Sequence, residues 1–164
     1  MKKVMTITGN AIKEPQNLRV RTGTNFRELI EEAGGFTSEP EKIIAGGPMM
    51  GIPLISLDVP VVKTSSAILC MTKDEVAACE ETACINCGRC VSVCPGRIIP
   101  ARLADYAKRH DKEAFEKAIG MECCECGCCS YSCPAKRPLT QYIKSMRKIV
   151  LADRKKAAQR GNGK

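Results

Sequence analysis

Residues 123–134 read CCECGCCSYSCP. Six of these twelve residues are cysteine, half of the 12 cysteines in the chain. A metal centre takes a set number of thiolates at set positions, so six in one stretch are too many for one site. Counting back from Cys133–Pro134, the pattern C-x2-C-x2-C-x3-C-P falls on Cys129, Cys126 and Cys123. A frame beginning at Cys124 would need cysteine at Gly127, and Cys128 has no cysteine three residues before it. Cys123, Cys126, Cys129 and Cys133 are therefore the expected ligands. Cys124 and Cys128 are left as small, soft packing residues.

The same pattern occurs upstream. Residues 84–95 read CINCGRCVSVCP, with Cys84, Cys87, Cys90 and Cys94 on the same frame. This run is the one that holds cubane [4Fe–4S] clusters in bacterial ferredoxins, and two runs predict two clusters. Cysteines three apart let one tight loop wrap three corners of a cube, while the proline turns the chain away after the fourth. A zinc scaffold, the rival reading, usually uses two separated C-x2-C knuckles. Disulfides are the other rival. The N-terminal MKKVMTITGN has no apolar signal segment, so closely spaced cysteines read as metal ligands instead. In two-cluster ferredoxins the fourth cysteine of each run serves the other cluster. The expected sets are Cys84, Cys87 and Cys90 with Cys133, and Cys123, Cys126 and Cys129 with Cys94. Each run keeping its own fourth cysteine is the alternative.

The remaining residues divide the chain near position 75. Residues 1–75 carry alternating segments around Val4–Thr8 and Leu18–Arg21, separated by a turn at Glu14–Asn17. Asn25 with Glu28 resembles a capping box for a helix with Phe26, Leu29, Ile30 and Ala33 on one face, ended by Gly34–Gly35. Lys42–Ala45, Val59–Lys63 and Ser66–Leu69 read as further strands. Gly46–Gly47–Pro48 and Gly51–Ile52–Pro53 read as turns, and the two methionines of Gly46–Met50 as core fillers. The sum is a small α+β unit.

Residues 76–150 alternate cysteine-rich turns with helices. Leu103, Ala104 and Ala107 mark one helix, and Asp111–Ile119 a second, capped by Asp111 and stopped at Gly120. After Pro138, the residues Leu139, Tyr142, Ile143, Met146 and Ile149 or Val150 form one apolar stripe. A helical ferredoxin domain is expected. Cys70 and Cys79 read as ordinary thiols, and the single histidine, His110, as solvated.

The net charge of +8 is uneven. Residues 1–75 balance to zero and residues 76–143 to +1, whereas residues 144–164 hold eight cations and only Asp153. Residues 151–164 are thus expected to be a basic C-terminal tail on a neutral body. Such a tail suits a helix end, an acidic partner, anionic lipid or nucleic acid. A redox-sensing or structural iron–sulfur module whose tail binds nucleic acid is the alternative function, although nucleic acid is not the expected partner. The longest uncharged run, Ile43–Leu57, is too short and too rich in glycine and proline to span a membrane. No triad or carboxylate pair suggests hydrolytic chemistry, so no catalytic residue is expected.

Three stretches together resemble the C subunit of the Rnf ion-translocating electron-transport complex. They are the two cluster runs, with the second continuing as CCECGCCSYSCPAKRPL; VMTITGNAIKEPQNLRVRTGT; and AGGPMMG followed by Asp58–Lys63. The resemblance covers roughly residues 3–150 and implies a β-grasp domain of the soluble-ligand-binding type ahead of the ferredoxin domain. It also implies electron transfer between ferredoxin and NAD coupled to ion transport. The partners it implies are other subunits of a membrane complex and a ferredoxin or flavoprotein. The place it implies is the cytoplasmic side of the bacterial cell membrane, bound peripherally. Members of that family carry a flavin- and NADH-binding domain before the β-grasp unit. No G-x-G-x-x-G motif occurs here, so the NADH reaction is not assigned to these residues.

Overall fold

A computed structural model describes residues 1–74 and 78–161. It divides the chain into two compact units, Met1–Cys79 and Glu80–Lys164. The division expected between residues 75 and 76 falls outside the described residues.

In the first unit, β1 (Lys2–Thr8) places Met5 and Ile7 fully inside, while Val4 is 60% exposed. That alternation is the period-2 signature of a half-buried strand. β1 pairs antiparallel with β2 (Gln16–Arg21), with Met5 opposite Leu18. On its other side β1 runs parallel to β5 (Ala67–Met71), which continues antiparallel to β3 (Lys42–Ala45) and then β4 (Ile52–Leu54). The sheet order is β2-β1-β5-β3-β4. One helix, α1 (Phe26–Glu32), packs Phe26, Leu29 and Ile30 against Met5, Ile7, Val20, Ile68 and Cys70. Asn25 caps it, accepting from the Arg27 N–H at 2.9 Å. A five-stranded mixed sheet with a parallel central pair and one helix over it is the β-grasp arrangement.

Three expectations change here. Val59–Lys63 is not a strand of the sheet. Its backbone instead serves the residues before and at the start of α1: Phe26 N–H donates to Val59 O at 3.0 Å, and Gly23 and Thr24 exchange bonds with Val61 at 2.8 Å. Helix N-termini need such acceptors for their unpaired N–H groups. The residues read as turn around Gly51 and Pro53 contribute β4, an edge strand, where a proline costs no ladder bond if its nitrogen faces outward. Met49 and Met50 are exposed by 45% and 57%, so they are surface residues and do not fill the core.

The second unit is mainly helical: α2 (Arg89–Ser92), α3 (Pro100–Lys108), α4 (Lys112–Lys117), a 3-10 turn (Gly120–Glu122), α5 (Cys128–Tyr131) and α6 (Leu139–Gly161). Leu103 and Ala107 of α3, Phe115 of α4, and Ile143, Met146 and Val150 of α6 make its main core. Val150, and not the partly exposed Ile149, completes the stripe on α6. Asp111 caps α4 by accepting from Ala114 N–H at 2.9 Å. Gly120 does not stop that helix; α4 is capped at Ala118, and Gly120 opens the 3-10 turn. Residues 151–161 continue α6. Within them Arg154 pairs with Glu116 at 2.5 Å and Asp153 pairs with Lys112. Among the described residues, no helix is long and apolar enough to cross a membrane.

Candidate iron–sulfur centres

The two cysteine runs are copies in backbone as well as in sequence. Cys84 and Cys123 are 39 residues apart, and every structural device after them repeats at that distance. Asn86 and Glu125 are left-handed (φ 54 and 57), Gly88 and Gly127 follow in the same region (φ 74 and 84), and Arg97 and Lys136 close each run (φ 50 and 52). Each glycine opens a one-turn helix, α2 or α5, that carries the third cysteine. After the proline, Arg97 N–H bonds to Cys94 O at 3.1 Å, and Lys136 N–H bonds to Cys133 O at 3.2 Å. Left-handed backbone at a non-glycine residue costs roughly 1–2 kcal/mol. Two runs that incur this cost at matching positions are shaped for something that the loop itself does not contain.

The thiols gather in two spaces. Cys84, Cys87, Cys90 and Cys133 line one of about 260 Å³, together with Ile85, Gly88, Val91, Ile99, Leu139 and Arg137 among others. Cys94, Cys123, Cys126 and Cys129 line the other, with Gly96, Ile98, Pro100, Gly127, Thr140 and Ile143. The second is far tighter, about 10 Å³, room for little more than one water at these side-chain positions. Each space thus takes three cysteines from one run and the fourth from the other. Cys124 lines the second space, and Cys128 lines neither. Cys70 is fully buried in β5, which pushes its thiol up to about 11.

The donor set fits a cluster. Four thiols line the first space and five, Cys124 included, line the second, and among the described residues no carboxylate or imidazole lines either one. Among the described residues, no three His, Cys, Asp or Glu side chains converge as a single ion would require. Burial raises the Cys90, Cys123 and Cys129 thiols, and neighbouring thiolates in each space raise them further. Iron supplies the positive charge that would let such thiols ionise together. One donor already points at sulfur, Glu125 N–H reaching Cys123 Sγ at 3.4 Å, and the Thr140 hydroxyl lies 3.3 Å from Cys129 Sγ.

Around the first space stands a polar brace that the spacing of the cysteines did not announce. Glu81 accepts from Lys108 Nζ at 2.5 Å, Tyr142 Oη at 3.0 Å and Arg137 Nε at 3.4 Å. The Lys108 hydrogen bond foremost holds the Glu81 carboxyl below the usual carboxylate range. Arg137, 5% exposed, also donates from Nη2 to Asp105 Oδ1 at 2.5 Å. This ties the lead into the first run to α3 and α6. Arg89 and Lys136 are exposed, as is Arg102, a second arginine that lines the first space.

Each unit has counterparts among known proteins. Residues 4–53 match the SLBB domain and residues 80–99 match the 4Fe-4S binding domain. The chain is 44% identical over 155 residues to the C subunit of the Na(+)-translocating ferredoxin:NAD(+) oxidoreductase complex of Acetobacterium woodii, covering 94% of this chain and 35% of that protein. It is 44% identical over 148 residues to the C subunit of the proton-translocating ferredoxin:NAD(+) oxidoreductase complex of Clostridium ljungdahlii, covering 90% of this chain and 32% of the relative. With the C subunit of the ion-translocating oxidoreductase complex of Rhodobacter capsulatus it shares 45% identity over 119 residues, 73% of this chain and 23% of the relative. The chain thus spans about a third or less of the length of these curated relatives. Over that span, a β-grasp unit followed by a helical 4Fe-4S unit, the chain is similar to the C subunits of the ion-translocating oxidoreductase complexes and shares the SLBB and 4Fe-4S binding domains.

Proposed function

We propose that this chain is an electron-transfer module carrying two [4Fe–4S] clusters. Cys84, Cys87 and Cys90 hold one with Cys133, and Cys123, Cys126 and Cys129 hold the other with Cys94. The observation that carries this reading is the exchange of fourth cysteines between the two thiol-lined spaces. Residues 1–75 form the β-grasp domain, residues 76–150 the ferredoxin domain, and residues 151–164 a basic extension.

A bound [4Fe–4S] cluster takes up and releases one electron at a time. The protein's part is to fix the thiolates, exclude water and place hydrogen-bond donors near sulfur. Ile85, Val91, Ile98 and Ile143 supply apolar wall, and the left-handed Glu125 brings its backbone amide within 3.4 Å of Cys123 Sγ. The relatives named above are subunits of ferredoxin:NAD(+) or ion-translocating oxidoreductase complexes. On that basis the module works as one part of such a complex, passing electrons between a ferredoxin-side and a flavin- or NAD-side partner at the cytoplasmic face of the cell membrane. The ion-transport step belongs to other subunits.

Anaerobic reconstitution with iron and sulfide, followed by electron paramagnetic resonance of the reduced protein, tests the reading. About eight irons per chain and two interacting signals are expected. Four irons would refute the two-cluster assignment, and zinc without acid-labile sulfide would refute the cluster chemistry altogether.

A further inference from the structure

At one lining position the repeat that relates the two runs sets a charged side chain against a hydrocarbon one. Four residues after Cys94 stands Ile98, and four residues after Cys133 stands Arg137. Both are buried, at 2% and 5% exposure, and each lines the thiol space served by the preceding cysteine. One site therefore has hydrocarbon where its twin has a guanidinium.

From this we infer that Arg137 is a tuning residue of the first centre: it donates a charged hydrogen bond toward the Cys84 side and raises that centre's reduction potential. The inference rests on the reading that Cys84, Cys87, Cys90 and Cys133 hold a [4Fe–4S] cluster.

The hydrogen-bond inventory of the guanidinium supports it. Nη2 goes to Asp105 and Nε goes to Glu81, but Nη1 is buried with no partner of good geometry among the described residues. A buried donor left unpaired is costly, and a buried cation more so. Arg137 lines the space into which four thiolates and their cluster would bring negative charge and sulfur acceptors. The Cys84 side chain is already among the groups that favour the charged guanidinium. Asp105 and Glu81 hold the head group in place and offset part of its charge, so the hydrogen bond matters more here than the long-range field.

The second space differs. Its lining polar donor is the neutral Thr140 hydroxyl, at a position that the repeat fills with Ala101 in the first. Arg147 lies beside Cys123 and also has a buried unpartnered Nε, but it binds Glu125 through Nη1 and does not line the space. Hydrogen bonds to cluster sulfur favour the more negative, reduced state. Arg137 therefore makes the first centre easier to reduce than hydrocarbon at that position would, which biases the direction of electron flow within the pair.

The test is a potentiometric titration of the reconstituted full chain, followed by electron paramagnetic resonance, with iron and sulfide counted in every sample. Arg137→Gln is expected to lower one midpoint by about a tenfold change in the reduction equilibrium, ~59 mV for one electron, and to leave the other in place. Arg137→Lys recovers part of the shift. Asp105→Asn, which removes an opposing charge and loosens the grip on Nη2, moves the same midpoint upward. If Arg137→Gln does not hold the first cluster, the lysine and Asp105 variants decide by the sign of their shifts. Unchanged midpoints, equal movement of both, or a downward shift in Asp105→Asn would overturn the role of Arg137. A parent chain without acid-labile sulfide would instead overturn the cluster reading beneath it.

Discussion

Thr140 Oγ1 stands 3.3 Å from Cys129 Sγ, and a Cys129 thiolate, which has no proton, can only accept from that hydroxyl. Thr140 N–H donates to Ser130 Oγ at 2.9 Å, and the Ser130 hydroxyl donates to Thr140 Oγ1 at 3.0 Å. The threonine proton is left for sulfur. Cys129 is the most buried cysteine of the eight, so this donor works without competition from water. Replacing Thr140 with valine keeps the shape and removes the proton. The expected result is a lower midpoint for the second centre only, by the equivalent of about 1 kcal/mol for one neutral hydrogen bond. Potentiometry of the reconstituted variant reads it, and a shift in the other midpoint would contradict the assignment of Cys129.

The exchange of fourth cysteines makes its own prediction. Cys133→Ser removes a thiol that shares a space with Cys84, Cys87 and Cys90, so it should damage the cluster of the first run and spare that of its own run. Iron should fall from about eight to about four per chain, or the first cluster should convert to a three-iron form. Cys128→Ser should retain the full count. Cys124→Ser should do so too, although Cys124 lines the second space. Loss of the second cluster in Cys133→Ser would show that each run keeps its own fourth cysteine.

Much of this site was legible from spacing because a cubane imposes a rigid set of corner positions on any loop that wraps it. The frame left out Cys124 and Cys128 by arithmetic alone, and of these Cys124 nonetheless lines the second space. Tertiary partners leave no such mark. Glu81, Asp105 and Thr140 are ordinary polar residues in the sequence, and only the fold brings them to the thiols. The repeat held a usable signal, since aligning the two runs exposes the Ile98–Arg137 and Ala101–Thr140 differences. In the β-grasp unit, alternation revealed β1 and β2, and Asn25 revealed α1. β4 was hidden because Gly51 and Pro53 read as a turn until its place at the sheet edge is known. Val59–Lys63 has strand composition, yet Pro60 and the needs of the α1 N-terminus win.

Gly9 tests whether the first unit folds by itself. Its φ is +123°, a region that only glycine occupies readily, and a Cβ there would lie 1.9 Å from the Cys70 carbonyl oxygen. Gly9→Ala should therefore separate β1 from β5 and destabilise that unit by about 3 kcal/mol. Chemical denaturation followed by a probe in residues 1–74 should show the loss. Cluster content, held by the second unit, should remain unchanged. Loss of iron in the same variant would show that the two units depend on one another.

Glu81 offers the complementary test in the second unit. Glu81→Gln keeps the size of the side chain but removes the charge that receives Lys108, Tyr142 and Arg137. Its carboxyl is partly exposed, so the effect is discounted for solvent to about 1–2 kcal/mol. Because the folded carboxyl titrates below its ordinary 4.5, its contribution is complete above that value and is lost as pH falls through the lower folded one. The stability difference between Glu81→Gln and the parent should thus be flat from about pH 5 to pH 8 and shrink only in stronger acid. Denaturation curves at several pH values in that window measure it. A difference that grows steadily toward pH 8 would mean that another group carries the brace.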